Sequence, residues 1–202
     1  MTFKQSPLIE IETPIRHPGV GGGVSFWIQE YPFFTHINLR GDASAPGFAE
    51  AVTAATGVTL PQDPNTCVSN DRWHALWLSP DEWLLMGPEG DDLTSVLAGR
   101  LEPLLHALTE VSGGQTILRV GGDAWRDVLA SACTFDLHPR VFGEGAGGQT
   151  VVAHANVVLN YVSDDPRGEA LDIVVRRSFA DHLARWLMDA ADEPGFEFLA
   201  PA

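Results

Sequence analysis

Cysteine and lysine are both scarce in this sequence. The 202 residues include only two cysteines, Cys67 and Cys133, which form no C-x-x-C pair, and one lysine, Lys4. Two isolated cysteines support neither a disulfide framework nor a cysteine-based zinc site. A lone lysine near the N-terminus excludes a phosphate-binding P-loop, because the glycine-rich turn of that motif ends in a lysine.

Positive charge of any kind is also scarce. Twelve Lys and Arg residues face 27 Asp and Glu residues, which gives a net charge of −15 at neutral pH. Binding to nucleic acid requires clustered cations that neutralise phosphates. The composition therefore excludes a nucleic-acid partner, and it suits a surface that docks onto basic partners.

Long hydrophobic runs are missing as well. No stretch approaches the about 18 uncharged apolar residues of a membrane-spanning helix, and the N-terminal segment lacks the apolar core of a signal peptide. We therefore expect a cytoplasmic protein with no membrane partner. With 45% apolar and 19% charged residues, the chain has the composition of a globular protein and the length for a full hydrophobic core.

The usual signatures of catalytic and metal sites are absent too. The seven histidines show no H-x-H, H-x-x-x-H or H-E-x-x-H spacing, and the sequence contains no G-x-S-x-G. We therefore assign no catalytic, no cofactor-binding and no metal-ligating residue to this chain. A chain of enzyme-like size without an enzyme-like site is expected to be a subunit or a binding module.

One stretch does resemble a site, namely CTFDLHPRVFGEGAGGQT at residues 133–150. It combines Cys133, Asp136 and His138 with a G-x-G-x-x-G pattern at residues 143–148. A dinucleotide-binding loop follows a strand and opens a helix. Here a strand-like run follows the glycines, so we interpret them as a turning loop that uses positive φ angles.

The Cys-Asp-His group is interpreted as structural. Cys133 is predicted to end a helix as a small buried residue, and Asp136 to bond the backbone of its own turn. Pro139 restricts the backbone of His138 to extended conformations. The alternative is a Cys133–His138 nucleophile of a hydrolase or transferase, which requires a lowered thiol pKa.

Apolar periodicity predicts an α+β protein in which the order strand–strand–helix–strand–strand–helix occurs twice. The elements predicted in the first half are strands at 24–31, 34–40, 73–79 and 82–87, and helices at 46–57 and at 93–108, the latter bent near Gly99 and Pro103. Those predicted in the second half are a strand at 116–120, a helix capped by Asp123, two strands within 149–162 around a turn near 155–156, a strand at 170–176 and a helix opened by Ser178.

The positions of the apolar stripes indicate a duplication. The helical stripe that begins at Phe48 lies 77 positions before the one at Trp125, since 125 − 48 = 77. The stripe at Leu93 lies 86 positions before the one at Phe179, since 179 − 93 = 86. We therefore predict a duplicated unit whose helices cover a mostly antiparallel sheet.

The predicted domain boundaries follow from this duplication. Residues 24–195 are predicted to form a single compact domain made of two repeats, 24–108 and 109–195. The Pro- and Gly-rich residues 1–23 are predicted to be an extended arm or linker, and residues 196–202 a tail.

Aromatic residues near the arm are candidates for contact with a partner, because aromatic side chains and arginine are enriched at interfaces. The candidate partner-contact residues are Phe26, Trp27, Tyr31, Phe33, Arg140 and Phe142.

Four segments carry a resemblance to a known family. They are SPDEWLLMGP at 79–88, TFDLHPRVF at 134–142, GGQTVVAHANVVL at 147–159 and DIVVRRSFADHLARWLMDA at 172–190. In this order they resemble the gamma subunits of heterotetrameric sarcosine oxidase. The resemblance covers about residues 20–195, and it implies a fold similar to the folate-binding domain of the glycine-cleavage T-protein, an aminomethyltransferase.

The resemblance also implies a role. The family's complex oxidatively demethylates sarcosine to glycine and hydrogen peroxide, and it passes the one-carbon unit to tetrahydrofolate. It implies alpha, beta and delta partner subunits that carry FAD, FMN, NAD, zinc and the tetrahydrofolate site, and a gamma subunit without catalytic residues. Two alternatives are the corresponding subunit of an N-methylglutamate dehydrogenase complex and a folate-binding or one-carbon transfer module.

Overall fold

The computed structural model describes residues 4–202, which form twelve strands, four α-helices and one short 3-10 helix. In chain order these elements are β1 (Ile15–His17), β2 (Phe26–Tyr31), β3 (Thr35–Gly41), α1 (Phe48–Thr56), β4 (Cys67–Ser69), β5 (His74–Ser79), β6 (Glu82–Gly87), α2 (Leu93–Leu101), β7 (His106–Glu110), the 3-10 helix Ser112–Gly114, β8 (Gln115–Gly121), α3 (Trp125–Ala130), β9 (Gly147–Val152), β10 (Ala155–Val162), β11 (Ala170–Arg176), α4 (Arg177–Ala190) and β12 (Phe196–Leu199). Within residues 4–202, no helix combines the length and the apolar composition that crossing a membrane would require.

The chain divides into two compact units. Unit 1 contains residues 4–32, 115–144 and 149–202, and unit 2 contains residues 33–114 and 145–148. Each unit has its own sheet. The prediction of a single domain over residues 24–195 stays a prediction.

Unit 2 is built on a five-stranded antiparallel sheet with the strand order β4-β5-β6-β3-β7. Helix α1 buries Phe48 and Val52 in the apolar core of this unit, and Gly57 ends the helix in the left-handed conformation that glycine favours. Asp92 caps the start of helix α2, and its side chain accepts a hydrogen bond from the backbone N–H of Ser95.

Unit 1 is built on a seven-stranded sheet with the strand order β1-β12-β2-β8-β11-β10-β9. Strand β2 runs parallel to β12. The neighbouring pairs β2–β8, β8–β11 and β11–β10 are antiparallel. Helix α4 packs on β8 and β11 and buries Leu183 and Leu187. The apolar face of this helix therefore covers the centre of the sheet.

The topology confirms the α+β class and shows a duplicated unit. Unit 2 runs β3-α1-β4-β5-β6-α2-β7, and unit 1 contains the same order as β8-α3-β9-β10-β11-α4-β12. The strand order is also the same, except that β2 is inserted between β8 and β12. The repeat visible in the topology therefore begins with one strand rather than two, and the predicted repeat boundaries at 24–108 and 109–195 stay predictions.

Two adjacent strands belong to different sheets. The sequence predicts β2 and β3 as a pair separated by Pro32, but β2 pairs with β8 and β12, whereas β3 pairs with β6 and β7. Phe33 lies between the two strands with a φ of 63°, a conformation that redirects the chain. Local alternation identifies strands, but it does not identify their partners.

The predicted helix at 93–108 is too long. Helix α2 ends at Leu101, and residues 106–110 form strand β7. Pro103 lacks the backbone N–H that a continuing helix requires. The leucines beyond it alternate as in a strand, because Leu104 and Leu108 pack against the core and Leu105 is 94% exposed.

Both ends of the chain contain strands. Strand β1, inside the predicted arm, pairs with β12, inside the predicted tail. Phe196 and Phe198 of β12 are buried, and their burial stabilises the pairing. Residues 1–3 of the predicted arm lie outside the described residues.

Candidate functional site

A row of polar side chains crosses one face of the seven-stranded sheet in unit 1. Gln29 on β2, Arg119 on β8, Asp172 on β11 and Asn160 on β10 lie opposite one another in successive strand pairs. Arg119 has 14% of its side chain exposed, and Asp172 and Asn160 are buried. A charged row inside a sheet is costly unless its members pair, so its contacts decide what it does.

Arg119 is the centre of this row. Its Nε donates to Asp172 Oδ1 at 2.7 Å, and its Nη2 donates to Asp172 Oδ2 at 3.1 Å. Its Nη1 donates to Asp165 Oδ2 at 3.3 Å, and its guanidinium lies 4.4 Å from the ring centroid of Tyr31. Burial lowers the pKa of Arg119, but the charge of Asp172 and the hydrogen bonds to it outweigh burial and raise the pKa.

The loop between β10 and β11 closes over the row. Asp165 accepts hydrogen bonds from the backbone N–H and the Nε of Arg167, each at 3.0 Å. Arg167 also donates to Gln29 at 2.9 Å, and its guanidinium lies 3.8 Å from the ring centroid of Trp27. Burial raises the pKa of Asp165, but the hydrogen bonds and charge of Arg167 and the bond from Arg119 lower it overall.

Asn160 ends the row on the β10 side. Its side chain is fully buried, and no residue among 4–202 hydrogen-bonds either its Oδ1 or its Nδ2. Within the same described range, no three His, Cys, Asp or Glu side chains converge in a way that would hold a metal ion.

The chemistry of this cluster is that of paired charges. Each carboxylate accepts charged hydrogen bonds, and Arg119 keeps its proton at every accessible pH. Such a cluster fixes the loop around Asp165 on the sheet and holds Trp27 and Tyr31 in place. It does not present a nucleophile beside a base.

The candidate partner-contact residues lie in different environments. Phe26 is fully buried, and Phe142 is buried in edge-to-face contact with Phe135 and Tyr161. Because these two side chains fill the interior of unit 1, they are not available to a partner without local unfolding.

The other four candidates reach the surface to different degrees. Trp27 is 8% exposed under Arg167, Tyr31 and Phe33 are partly buried, and Arg140 is exposed. The interface itself stays a prediction.

The DLHPRVF segment is a turn closed by its own side chains. Asp136 Oδ1 accepts a hydrogen bond from the backbone of His138 at 3.0 Å, as predicted from the sequence. His138 Nδ1 accepts from the backbone of Arg140 at 3.1 Å. Burial raises the pKa of the half-buried Cys133 thiol. A raised pKa keeps this thiol protonated and opposes the nucleophile interpretation.

The glycine-rich loop pairs with a strand of unit 2. The carbonyl of Gly145 accepts from the backbone of Cys67 at 2.9 Å, and the backbone of Gly147 donates to Asn65 at 3.1 Å. Gly145 has a φ of 76°, and the chain continues into β9. The loop therefore leads into a strand, as the sequence predicts, and not into the helix that follows a dinucleotide-binding turn.

Sequence analysis did not identify Arg119, Asp165, Arg167 or Asp172. Arg119 and Asp172 are single charges within the apolar runs TILRV and ALDIVV. An isolated charge of each sign in two buried strands is a signal for a buried ion pair, because such charges are rarely buried alone.

Comparison with known proteins assigns the family. The family described as "Sarcosine oxidase, gamma subunit family" matches residues 40–193. Sarcosine oxidase subunit gamma of Corynebacterium sp. (strain P-1) is 31% identical, and that of Corynebacterium sp. (strain U-96) is 32% identical. The alignments cover 95% of this chain and 92% and 91% of those proteins.

Two solved structures have a similar fold. A chain of heterotetrameric sarcosine oxidase from Corynebacterium sp. U-96 has a TM-score of 0.82 and 31% identity, with 95% of this chain and 96% of that chain covered. The glycine cleavage aminomethyltransferase T from Bartonella henselae has a TM-score of 0.60 and 14% identity, with 87% and 48% covered. At that identity the second match shows the shared fold alone. From the family match and the near full-length similarity, this chain belongs to the sarcosine oxidase gamma subunit family.

Proposed function

We propose that this chain is the gamma subunit of a heterotetrameric sarcosine oxidase, and that it supports the assembly without contributing catalytic residues. The complex oxidatively demethylates sarcosine to glycine and transfers the one-carbon unit to tetrahydrofolate. Oxygen accepts the two electrons and is released as hydrogen peroxide. The proposal includes alpha, beta and delta partner subunits. The cytoplasmic location of the chain that the sequence suggests stays a prediction.

The observation that carries this proposal is the extent of the similarity. It covers nearly the full length of this chain and of the gamma subunits, and the TM-score of 0.82 to a chain of the heterotetramer covers 95% of this chain. Similarity of this extent covers both units of the chain rather than one shared motif.

The proposal places FAD, FMN, NAD, zinc and the tetrahydrofolate site in the partner subunits. The pairing of the charged groups in this chain supports that division of labour. Arg119, Asp165 and Asp172 bond one another, and Cys133 keeps its proton. These groups stabilise the fold rather than meet a substrate.

We propose partner contacts at Tyr31, Phe33 and Arg140, the predicted contact residues whose side chains are at least partly exposed. Alanine at Arg140 is expected to weaken assembly without unfolding the chain, because Arg140 is exposed and its side chain is not part of the core.

Co-expression tests the proposed function. The chain is produced with the candidate alpha, beta and delta subunits. Each preparation is given sarcosine or N-methylglutamate, and turnover is measured both as hydrogen peroxide release and as reduction of an artificial electron acceptor, since a dehydrogenase releases no hydrogen peroxide. Omission of this chain is expected to reduce both the yield of assembled complex and the turnover of sarcosine. Complete assembly and full activity without this chain would overturn the proposal. Faster turnover of N-methylglutamate than of sarcosine would identify N-methylglutamate as the substrate instead.

A further inference from the structure

Strand β7 leaves one edge of the five-stranded sheet open. It pairs with β3 on one side, and no strand within residues 4–202 pairs with it on the other. An open edge presents unpaired backbone N–H and C=O groups that a further strand can bond.

The hydrogen bonds of β3 show which groups of β7 point outward. Antiparallel partners alternate between bonded and non-bonded pairs. Val111 donates to the carbonyl of His36, so in the same register Thr109 and Ala107 bond Asn38 and Arg40. The backbone N–H and C=O groups of the intervening residues therefore point away from β3. These residues are His106, Leu108 and Glu110.

The equivalent strand in unit 1 is paired on both edges. Strand β12 takes the position of β7 in the duplicated order, and it lies between β1 and β2. Both flanking strands come from N-terminal residues that precede the repeat. Among residues 4–202, no such segment pairs with β7, so this edge is available to a strand of another chain.

The side chains along β7 permit a close approach. Ala107 and Thr109 are small and exposed, and Leu105, just before the strand, is 94% exposed. The strand contains no proline or lysine, the residues that commonly protect an open edge. Two acidic side chains lie near its ends, Glu102 before the strand and Glu110 as its last residue, and the nearest cation before the strand is Arg100.

From these observations we infer that β7 accepts an extended segment of a partner subunit as a sixth strand of the unit 2 sheet. The segment places an apolar side chain on Leu105 and Lys or Arg side chains near Glu102 and Glu110, and the chain's net charge of −15 favours such a basic partner. The inference rests on the proposed function, because it requires partner subunits.

Hydrogen exchange of single amides tests the inference in the assembled complex. The amides of Leu108 and Glu110 are expected to exchange at least about 10-fold more slowly in the complex than in the isolated chain. Those of Ala107 and Thr109, which bond β3 in either state, serve as internal controls. A complex in which Leu108 and Glu110 exchange as fast as in the isolated chain would overturn this inference and leave the proposed function intact.

Other outcomes are also decisive. Protection of Leu108 and Glu110 that rises with the concentration of the isolated chain would show pairing between two copies, and it would overturn the partner strand. Failure of the subunits to associate would contradict the proposed function, and with it this inference.

Substitution beside the edge provides a second measurement. Leu105→Glu is expected to weaken association with the partner subunits by at least about 10-fold, since it removes an apolar contact and adds a negative charge. Val20→Glu is the matched control, because Val20 is 88% exposed and lies in unit 1. Circular dichroism of both variants checks that each remains folded. Equal affinities for the two variants would contradict the inference.

Discussion

Asp172 accepts two hydrogen bonds from the guanidinium of Arg119, the residue directly opposite it on the neighbouring strand. Both nitrogen–oxygen distances lie within normal hydrogen-bond range, at 2.7 and 3.1 Å, so the guanidinium and the carboxylate form a bidentate pair. Only 1% of the Asp172 side chain is exposed. The pair therefore ties β8 to β11 by side chains as well as by backbone.

Removal of the negative charge at position 172 is expected to destabilise the chain strongly. Asp172→Asn leaves the buried Arg119 with a neutral partner in place of a carboxylate, and the free energy of unfolding is expected to fall by about 3 kcal/mol. Urea denaturation measures this change.

The exposed pair Arg40–Asp81 provides the control for that variant. Its nitrogen–oxygen distance is 3.0 Å, but both side chains are more than half exposed. Asp81→Asn is expected to lower the free energy of unfolding far less than Asp172→Asn, because solvent screens the exposed pair. Equal costs for the two variants would show that the Arg119–Asp172 pair is solvated rather than buried.

The stability of unit 1 is expected to depend on pH through Asp165. The folded state lowers the pKa of this carboxyl, so its stabilising contribution is complete above the pKa of an unfolded aspartate, about 4. The contribution is lost as the pH falls through the lowered folded value. The difference in unfolding free energy between the native chain and Asp165→Asn is therefore expected to be largest near neutral pH and to narrow below about pH 4.

Denaturation at a series of pH values measures this difference. Asp164→Asn is the control, because Asp164 is the exposed neighbour of the buried Asp165. The assigned role of the carboxylate would be contradicted if the difference in unfolding free energy between the native chain and Asp165→Asn stayed constant from neutral to acid pH.

Local chemistry explains which parts of the fold were predictable. The C-terminal end of α1 was predictable, because Gly57 readily adopts the left-handed conformation that ends a helix with a clear apolar stripe. The pairing of β2 with β8 was not, since it joins residues that are about 90 positions apart, as in Trp27 and Gly121. Periodicity identifies the buried face of an element, but it does not identify the element on the other side of that face.

The candidate site shows the same division. The turn at Asp136 was predictable because its hydrogen bonds are local. The cluster around Arg119 was not, because β8, β11 and the loop at Asp165 meet only in the folded chain. Leu105 was assigned to a helical stripe for a related reason, since leucines spaced for a helix also fit a strand when Pro103 interrupts the helix.

Alanine substitutions at two glycines are expected to change the stability of the chain in opposite directions. A Cβ at Gly121 would lie 2.4 Å from Cζ2 of Trp27 and 2.9 Å from the carbonyl of Glu169, so Gly121→Ala is expected to cost about 1–3 kcal/mol. Gly99 lies within α2 with open space around it, and Gly99→Ala is expected to stabilise the chain by about 0.5–1 kcal/mol. Thermal unfolding of both variants checks the two signs. Tolerance of Gly121→Ala would mean that Trp27 does not lie over β8.

Cys133 is expected to react slowly with alkylating reagents while the chain is folded. Burial raises the pKa of its thiol, so the reactive thiolate is rare near neutral pH. In Cys67→Ala, which leaves Cys133 as the one cysteine of the sequence, labelling by iodoacetamide is expected to be at least about 10-fold slower than in urea.

His138 decides between the two interpretations of that thiol. His138 Nδ1 accepts a hydrogen bond from the backbone of Arg140, so His138→Ala is expected to leave the labelling rate of Cys133 unchanged. A catalytic pair behaves differently, because its histidine stabilises the thiolate and accelerates labelling. Rapid labelling of the folded chain at neutral pH, slowed by His138→Ala, would therefore establish a nucleophile where the structure shows a turn.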